Sequence, residues 1–343
     1  MTRLLRTRTA AALAGAAATL LVLLLAGQPL VERLPWRDKP VDDTSQPEIL
    51  MPARITALAT SPQSETMPVV TGDLVLWRTG RGDNVTVAGR DLATGETIRL
   101  PIAETVGSRV AASGTIVVWP DPRQGCIIVH DLASGRTRTI AQGSDPQWVA
   151  VSGHTVVWED SRSGAGDIYG CDLRTDRTFP ICVHPARQSR PAISGDLVVW
   201  EDWRGARSDI YARDLATGRT FVVCDDPATQ VQPAVSGTIV VWQDERHGDS
   251  DIYAVDLADG QERPICVRPE NQSAPAVAGN LIVWQDARDG NQDIYGYDLA
   301  GEREIGICVD PRTQGSPSVD GGVVAWEDRR NGRPDIYLAV LVR

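Results

Sequence analysis

One tryptophan-centred stretch returns at a fixed interval along most of the chain, and that interval limits the folds open to it. Trp77, Trp119, Trp158, Trp200, Trp242, Trp284 and Trp326 lie 42 residues apart, except for 39 between Trp119 and Trp158. A period of about 40 residues with several short strands per unit is the mark of a propeller blade, not of separate globular domains. The unit Pro233–Pro269 shows four apolar runs, "PAVS", "TIVVWQD", "DIYAVDL" and "ERPICVR", bounded by turn residues. The first two runs are joined at a glycine in every unit: Gly72, Gly114, Gly153, Gly195, Gly237, Gly279 and Gly321. A tight turn that needs positive φ explains the glycine. The runs are apolar on consecutive positions, so both faces of each sheet are covered, and the seven tryptophans are expected between blades.

The seventh unit ends after its third run, "DIYLAVLV", while Arg54–Thr60, ahead of the first unit, aligns with the fourth run of other units. The expected fold is therefore all-β: a seven-bladed β-propeller of four-stranded antiparallel blades over residues 53–343, closed by an N-terminal strand that completes the last blade. Closure removes the open sheet edges of a linear array.

Residues 1–31 read as a signal anchor or signal peptide. Arg3, Arg6 and Arg8 precede an uncharged run, Thr9–Gly27, which at ~1.5 Å per residue reaches about 28 Å, enough to cross a hydrocarbon core. Arginines ahead of the run direct the body outward. Residues 32–52, charged and holding Pro35, Pro40 and Pro47, read as a disordered tether. The propeller is thus expected in the periplasm or at the cell surface, with membrane contact through the N-terminal segment only. The net charge of −11 lies in the repeats, since residues 1–52 carry six basic against five acidic side chains. An acidic body argues against nucleic acid as a partner.

Cys182, Cys224, Cys266 and Cys308 occupy one equivalent position in successive repeats, too far apart to bridge. They read as small buried apolar residues. Only Cys171 and Cys182 are placed to pair.

Between the second and third runs the pattern is W-x-D-x-R-x-G-x-x-D-I-Y. Its arginine is present in all seven units: Arg81, Arg123, Arg162, Arg204, Arg246, Arg288 and Arg330. Carboxylates two after the tryptophan and at the start of "DIY" are expected to hold that arginine and fix the loop. With turns such as "DLATG", Asp214–Gly218, these motifs make the chain resemble the TolB-like β-propellers, a WD40-like repeat type. The resemblance covers about residues 53–343 and implies an extracytoplasmic propeller used for protein interaction. The chain departs from TolB in lacking a separate N-terminal α/β domain, and no G-x-S-x-G elbow of a propeller peptidase is present.

In a repeat protein, functional residues are sought where one blade departs from the rest. Trp203 replaces a small or polar residue, Trp148 sits in an interblade connection, and His247 stands beside Arg246. The linking loops, P-x-x-Q-x-x-P, place Gln188 and Gln230 at the same end of the ring. These five are the expected partner-binding residues, facing a protein or glycan of the cell envelope, in a monomer that is not an enzyme. The histidines, His130, His154, His184 and His247, fall in different blades. Segment Asp286–Asp293, "DARDGNQD", carries part of a calcium loop's oxygen spacing, interrupted by Arg288. No metal, cofactor or catalytic residue is expected. The alternative is a polysaccharide-active enzyme, a lyase or glycosidase, working at the channel mouth.

Overall fold

The computed structural model describes residues 31–33, 54–81, 84–100 and 109–341. The anchor segment and most of the tether fall outside these residues. Among them the chain forms strands and turns, with no helix, and seven sheets make the blades. Blade five is representative: an inner strand Gln230–Ser236, then Ile239–Asp244, Asp251–Asp256 and an outer strand Gln261–Cys266, all antiparallel. Each inner strand packs on the inner strand of the next blade, and that of blade seven returns to blade one. The ring is closed.

Blade seven consists of Gln314–Asp320, Val323–Asp328 and Asp335–Val340, with Ile55–Ala59 as its outer strand. Ile55 lies opposite Ala339 and Ala57 opposite Tyr337, so the chain's first propeller strand completes the last blade as its sequence requires. Blade four differs from the others. Val31–Arg33 runs parallel to its outer strand Thr220–Cys224 as a fifth strand, so the expected tether starts with a short ordered piece. The outer strands supply a reason. Opposite the third-strand tyrosine, blades three and five carry Pro180 and Pro264, and blade six Gly306. Blade four has Val222 there, so no proline blocks strand addition at this edge; blade six also lacks the proline and has no fifth strand among the described residues.

The core lies between blades. Trp158, Trp200, Trp242, Trp284 and Trp326 are 0% exposed. Trp242, for example, is packed with Val199, Ile210, Phe221 and Val223 of the preceding blade.

The two ends of the ring are built differently. At the turn end, each repeat glycine sits at a φ between 54 and 58°, and in every blade but the seventh its N–H reaches the preceding blade. Gly153 donates to Ser113 Oγ at 3.0 Å, Gly195 to Ser152 at 2.9 Å, Gly237 to Ser194 at 2.9 Å and Gly72 to Asp320 Oδ2 at 2.8 Å. This belt of bonds joins neighbouring blades. At the loop end lie the second-to-third-strand loops, the interblade connections and the residues that distinguish one blade from another.

Candidate functional site

The repeated arginine motif is a clasp. In blade five the Asp244 carboxylate, 0% exposed, accepts Trp242 Nε1–H at 2.9 Å, the Arg246 N–H at 3.0 Å, and Arg246 Nε and Nη2 at 3.0 and 2.7 Å. The guanidinium lies 4.0 Å over the Tyr253 ring. Its Nη2 also meets Cys224 Sγ of the preceding blade at 3.5 Å, and Nη1 bonds Glu262 at 2.6 Å. Blades four, six and seven repeat the Asp–Arg–Tyr–Cys set.

Two sequence expectations are corrected by this geometry. The "DIY" aspartate does not hold the arginine: Asp167 and Asp293 instead cap the interblade connection, accepting the N–H groups of His184 and Asp310 at 3.0 Å each. Five cysteines are buried as expected and Cys182 is half-buried; Cys182, Cys224, Cys266 and Cys308 also take an arginine contact. All six are free thiols. Cys171 lies opposite Thr178 while Cys182 lies opposite Ile168, so the strand register separates the one candidate pair. Burial pushes the Cys182 and Cys308 thiols up to about 12, which keeps them protonated and unreactive.

The clasp sets a pH response. For Asp328, burial alone would raise the pKa, yet the Arg330 bonds outweigh it and hold the carboxyl below its usual value. A depressed acid stabilises above its unfolded pKa, and that contribution fades only below about pH 4. Glu262 and Asp251 are shifted upward, chiefly by burial, against the opposing pull of Arg246 and His247 respectively. Their ionised forms weigh against the fold at neutral pH, and protonation relieves them. The melting midpoint is therefore expected to rise as these acids take up protons on mild acidification and to fall below about pH 4. Glu262→Gln should flatten the rise. A wild-type midpoint that nowhere exceeds its neutral-pH value on mild acidification would contradict the assignment.

The clasp repeats; the channel mouth does not. Five residues before each turn glycine, the inner strand presents Met67, Arg109, Trp148, Arg190, Gln232, Ala274 and Ser316. Met67, Arg190, Gln232, Ala274 and Ser316 have φ between 49 and 54°, a left-handed conformation that disfavours non-glycine residues and recurs at functional sites. Each sits at a bulge where the strand register shifts. The residue after the repeat tryptophan of the preceding blade holds several of these bulges: Glu327 accepts Met67 N–H at 2.9 Å, Glu201 accepts Gln232 N–H at 2.8 Å and Gln285 accepts Ser316 N–H at 2.7 Å.

On one side of this mouth a cationic and aromatic group gathers. The Arg190 guanidinium lies 4.5 Å and that of Arg109 5.7 Å from the Trp148 ring centroid. Arg190 Nε is 3.5 Å from Glu201, and Arg187 Nη2 is 2.8 Å from Glu159. Arg109 makes no ion pair with any described residue. Surrounding protein, then the Arg190 charge, lowers its pKa, although its surface is exposed; a residue lining a channel is walled by protein yet open to water. The facing positions Ala274 and Ser316 are small. An anion entering the mouth meets two guanidinium groups beside an indole.

The five expected residues separate. Trp148 belongs to this group. Trp203 is on the loop end and 39% exposed, and its N–H donates to Arg187 O at 2.9 Å. His247 is also on the loop end, with Nδ1 2.8 Å from Asp251 Oδ2 and its ring stacked on Tyr253. Gln188 and Gln230 are 0% exposed, and Gln188 Nε2 donates to Ala186 O at 2.7 Å. These glutamines lie inside the interblade loops, out of a partner's reach. Arg109 and Arg190 carry no signal in the repeat motif: the column five before the glycine holds six residue types in seven blades, with arginine in blades two and four.

No protein-family model and no curated protein matches the chain. Solved structures do. Oligogalacturonate lyase from Vibrio parahaemolyticus aligns with a TM-score of 0.64 and 12% identity, covering 86% of this chain and 97% of that one. Pyrococcus horikoshii acylaminoacyl peptidase aligns with a TM-score of 0.65 and 13% identity over 81% of this chain, which spans about half, 51%, of the peptidase. The β-propeller domain of the trilobed protease from Pyrococcus furiosus, with an open velcro topology, aligns with a TM-score of 0.64 and 13% identity, covering 81% of this chain and 95% of that domain. These similarities show the fold. They also overturn the expectation that the chain is not an enzyme: a peptidase and a lyase carry the same propeller, so the fold gives no ground for setting catalysis aside. The chain is a seven-bladed β-propeller related in architecture to the propellers of peptidases and of an oligogalacturonate lyase.

Proposed function

We propose that this chain is an extracytoplasmic propeller of TolB-like type that recognises a carboxylate-bearing ligand of the cell envelope, a glycan or a protein segment, at its loop-end channel mouth. The observation that carries this is the Arg109–Trp148–Arg190 group, opposite the small residues Ala274 and Ser316 at a mouth whose residues vary from blade to blade. The acidic body does not oppose it. At physiological salt, charges further than about 8 Å are largely screened, so an anion in the mouth responds to the arginines beside it.

A second reading, action on an acidic polysaccharide at the same mouth, is favoured by one comparison. The oligogalacturonate lyase is covered over 97% of its length, whereas the peptidase is covered over half. Guanidinium groups would then hold uronate carboxylates. The described residues offer no group of three or more His, Cys, Asp or Glu able to hold a metal.

Calorimetric titration with a short oligogalacturonate and with an uncharged oligosaccharide of equal length tests the proposal. Only the acidic ligand should bind, and Arg190→Ala or Trp148→Ala should weaken it about tenfold, the loss expected for one charge-assisted or stacking contact. Equal binding of both sugars, or variants that bind like the wild type, would refute recognition at this mouth. Appearance of unsaturated uronate products would establish the second reading.

A further inference from the structure

The second-to-third-strand loop of blade six departs from its sisters in a way the clasp does not explain. In blades three, five and seven, the residue after the clasp arginine donates a hydrogen bond to Oδ2 of the "DIY" aspartate. Ser163 serves Asp167, His247 serves Asp251 at 2.8 Å and Asn331 serves Asp335 at 2.8 Å. Blade six puts Asp289 at that place, facing Asp293. Two carboxylates stand where a donor and an acceptor stand elsewhere. Asp293 is 1% exposed, and its Oδ2 has no hydrogen-bond partner.

The surrounding groups do not neutralise this pair. Arg288 is committed to Asp286 and Glu304. Asp289 Oδ2 accepts the Tyr295 O–H at 2.8 Å, and the residue is exposed. Asn291 Nδ2 donates to the carbonyls of Asp310 and Arg312 at 3.0 Å each and lies 3.4 Å from Asp293 Oδ1, which leaves its amide oxygen as a third oxygen that a cation could draw in.

Read from Asp289 the loop is D-G-N-Q-D: oxygen donors at alternate positions, Asp289, Asn291 and Asp293. This is the spacing with which calcium loops begin. The equivalent triplets elsewhere are Ser163, Ala165, Asp167; Gly205, Arg207, Asp209; His247, Asp249, Asp251; and Asn331, Arg333, Asp335. Only blade six has oxygen at all three places without a cationic or histidine member. Arg288, which breaks the pattern in sequence, precedes the triplet.

We propose that the blade-six loop binds one calcium ion through Asp289, Asn291 and Asp293, with water completing the shell. A flexible loop with two carboxylates suits calcium better than magnesium, which demands a near-ideal octahedron. With only two charged ligands, a dissociation constant of about 10⁻⁴–10⁻³ M is expected, as in extracellular modules. Tyr295, bonded to Asp289, makes the site readable, because a terbium ion substituted there is excited through a nearby aromatic ring.

The test uses the full chain after chelator treatment. Calorimetry with calcium chloride should show one saturable site, and terbium luminescence should be displaced by calcium. Asp289→Ser, which installs the arrangement of blade three, should lower the calcium affinity at least about tenfold. It should also melt no lower than the chelated wild type, since it replaces a facing carboxylate with a donor. Asp289→Asn serves as a second variant with the same expectation for calcium. The proposal is overturned if the wild type shows no saturable calcium binding up to about 10 mM. It is equally overturned if both variants bind calcium like the wild type.

Discussion

Deleting residues 53–61 is expected to abolish the monomeric ring, leaving a chain that unfolds or associates through blade seven. The deletion removes Ile55–Ala59, the outer strand paired with Asp335–Val340. Without it the blade ends in a strand whose Ile336, Tyr337, Leu338 and Ala339 are now at most 8% exposed. A flat apolar edge with unpaired backbone groups invites pairing with another chain. Register supplies the control. Ala57 lies opposite Tyr337, as Pro180 lies opposite Tyr169 and Pro264 opposite Tyr253. Ala57→Pro should therefore be tolerated, with a midpoint near that of the wild type, although proline is normally excluded from strands. Size-exclusion chromatography with thermal melts checks both. A monomeric deletion mutant with an unchanged midpoint would mean that the strand does not close the ring.

That closure, the blade count and the tryptophan core could be read from the sequence because each is a constraint repeated in every unit. Repetition made Trp242 and its counterparts recognisable as packing, and the frame shift between the seventh unit's missing run and Arg54–Thr60 identified the closing strand. The mouth was harder to read for the same reason. Trp148 stood out as an unusual residue, but its partners Arg109 and Arg190 lie in other blades, and only the ring brings their side chains to one indole. Gln188 and Gln230 misled in the opposite sense. A repeated polar residue in a surface loop looks available, yet its amide lies within the connection and never meets solvent. The "DIY" aspartate was assigned to the arginine because the two are close in sequence; in the fold it serves the next connection instead. Linear spacing reports the strands well and the destinations of polar side chains poorly, because those are decided by neighbouring blades.

The clasp itself should dominate the stability of the loop end. Asp244→Ala is expected to cost about 3–5 kcal/mol, the range for removing one partner of a buried ion pair. The substitution strands the Trp242 indole N–H inside the core and leaves Arg246, whose side chain is 17% exposed, facing Glu262 and Cys224 without its main partner. With an unfolding entropy near 2.1 cal/mol/K per residue over roughly 290 residues, that loss lowers the melting midpoint by about 5–8 °C if the ring unfolds as one unit. Asp244→Asn removes the charge and one of the two acceptors. The indole N–H and the loop N–H bond different oxygens of Asp244, so the amide oxygen keeps one of them, and the expected loss is smaller, about 1.5–3 kcal/mol, the worth of a bond to a charged group. Combining Asp244→Ala with Arg246→Leu provides the deciding comparison. Removing both charges leaves no uncompensated ion, so the double variant should be less destabilised than the sum of the two single variants. Additive losses in the double-mutant cycle would show that Asp244 and Arg246 act independently, and the reading of the repeated motif as a blade-to-blade clasp would fail.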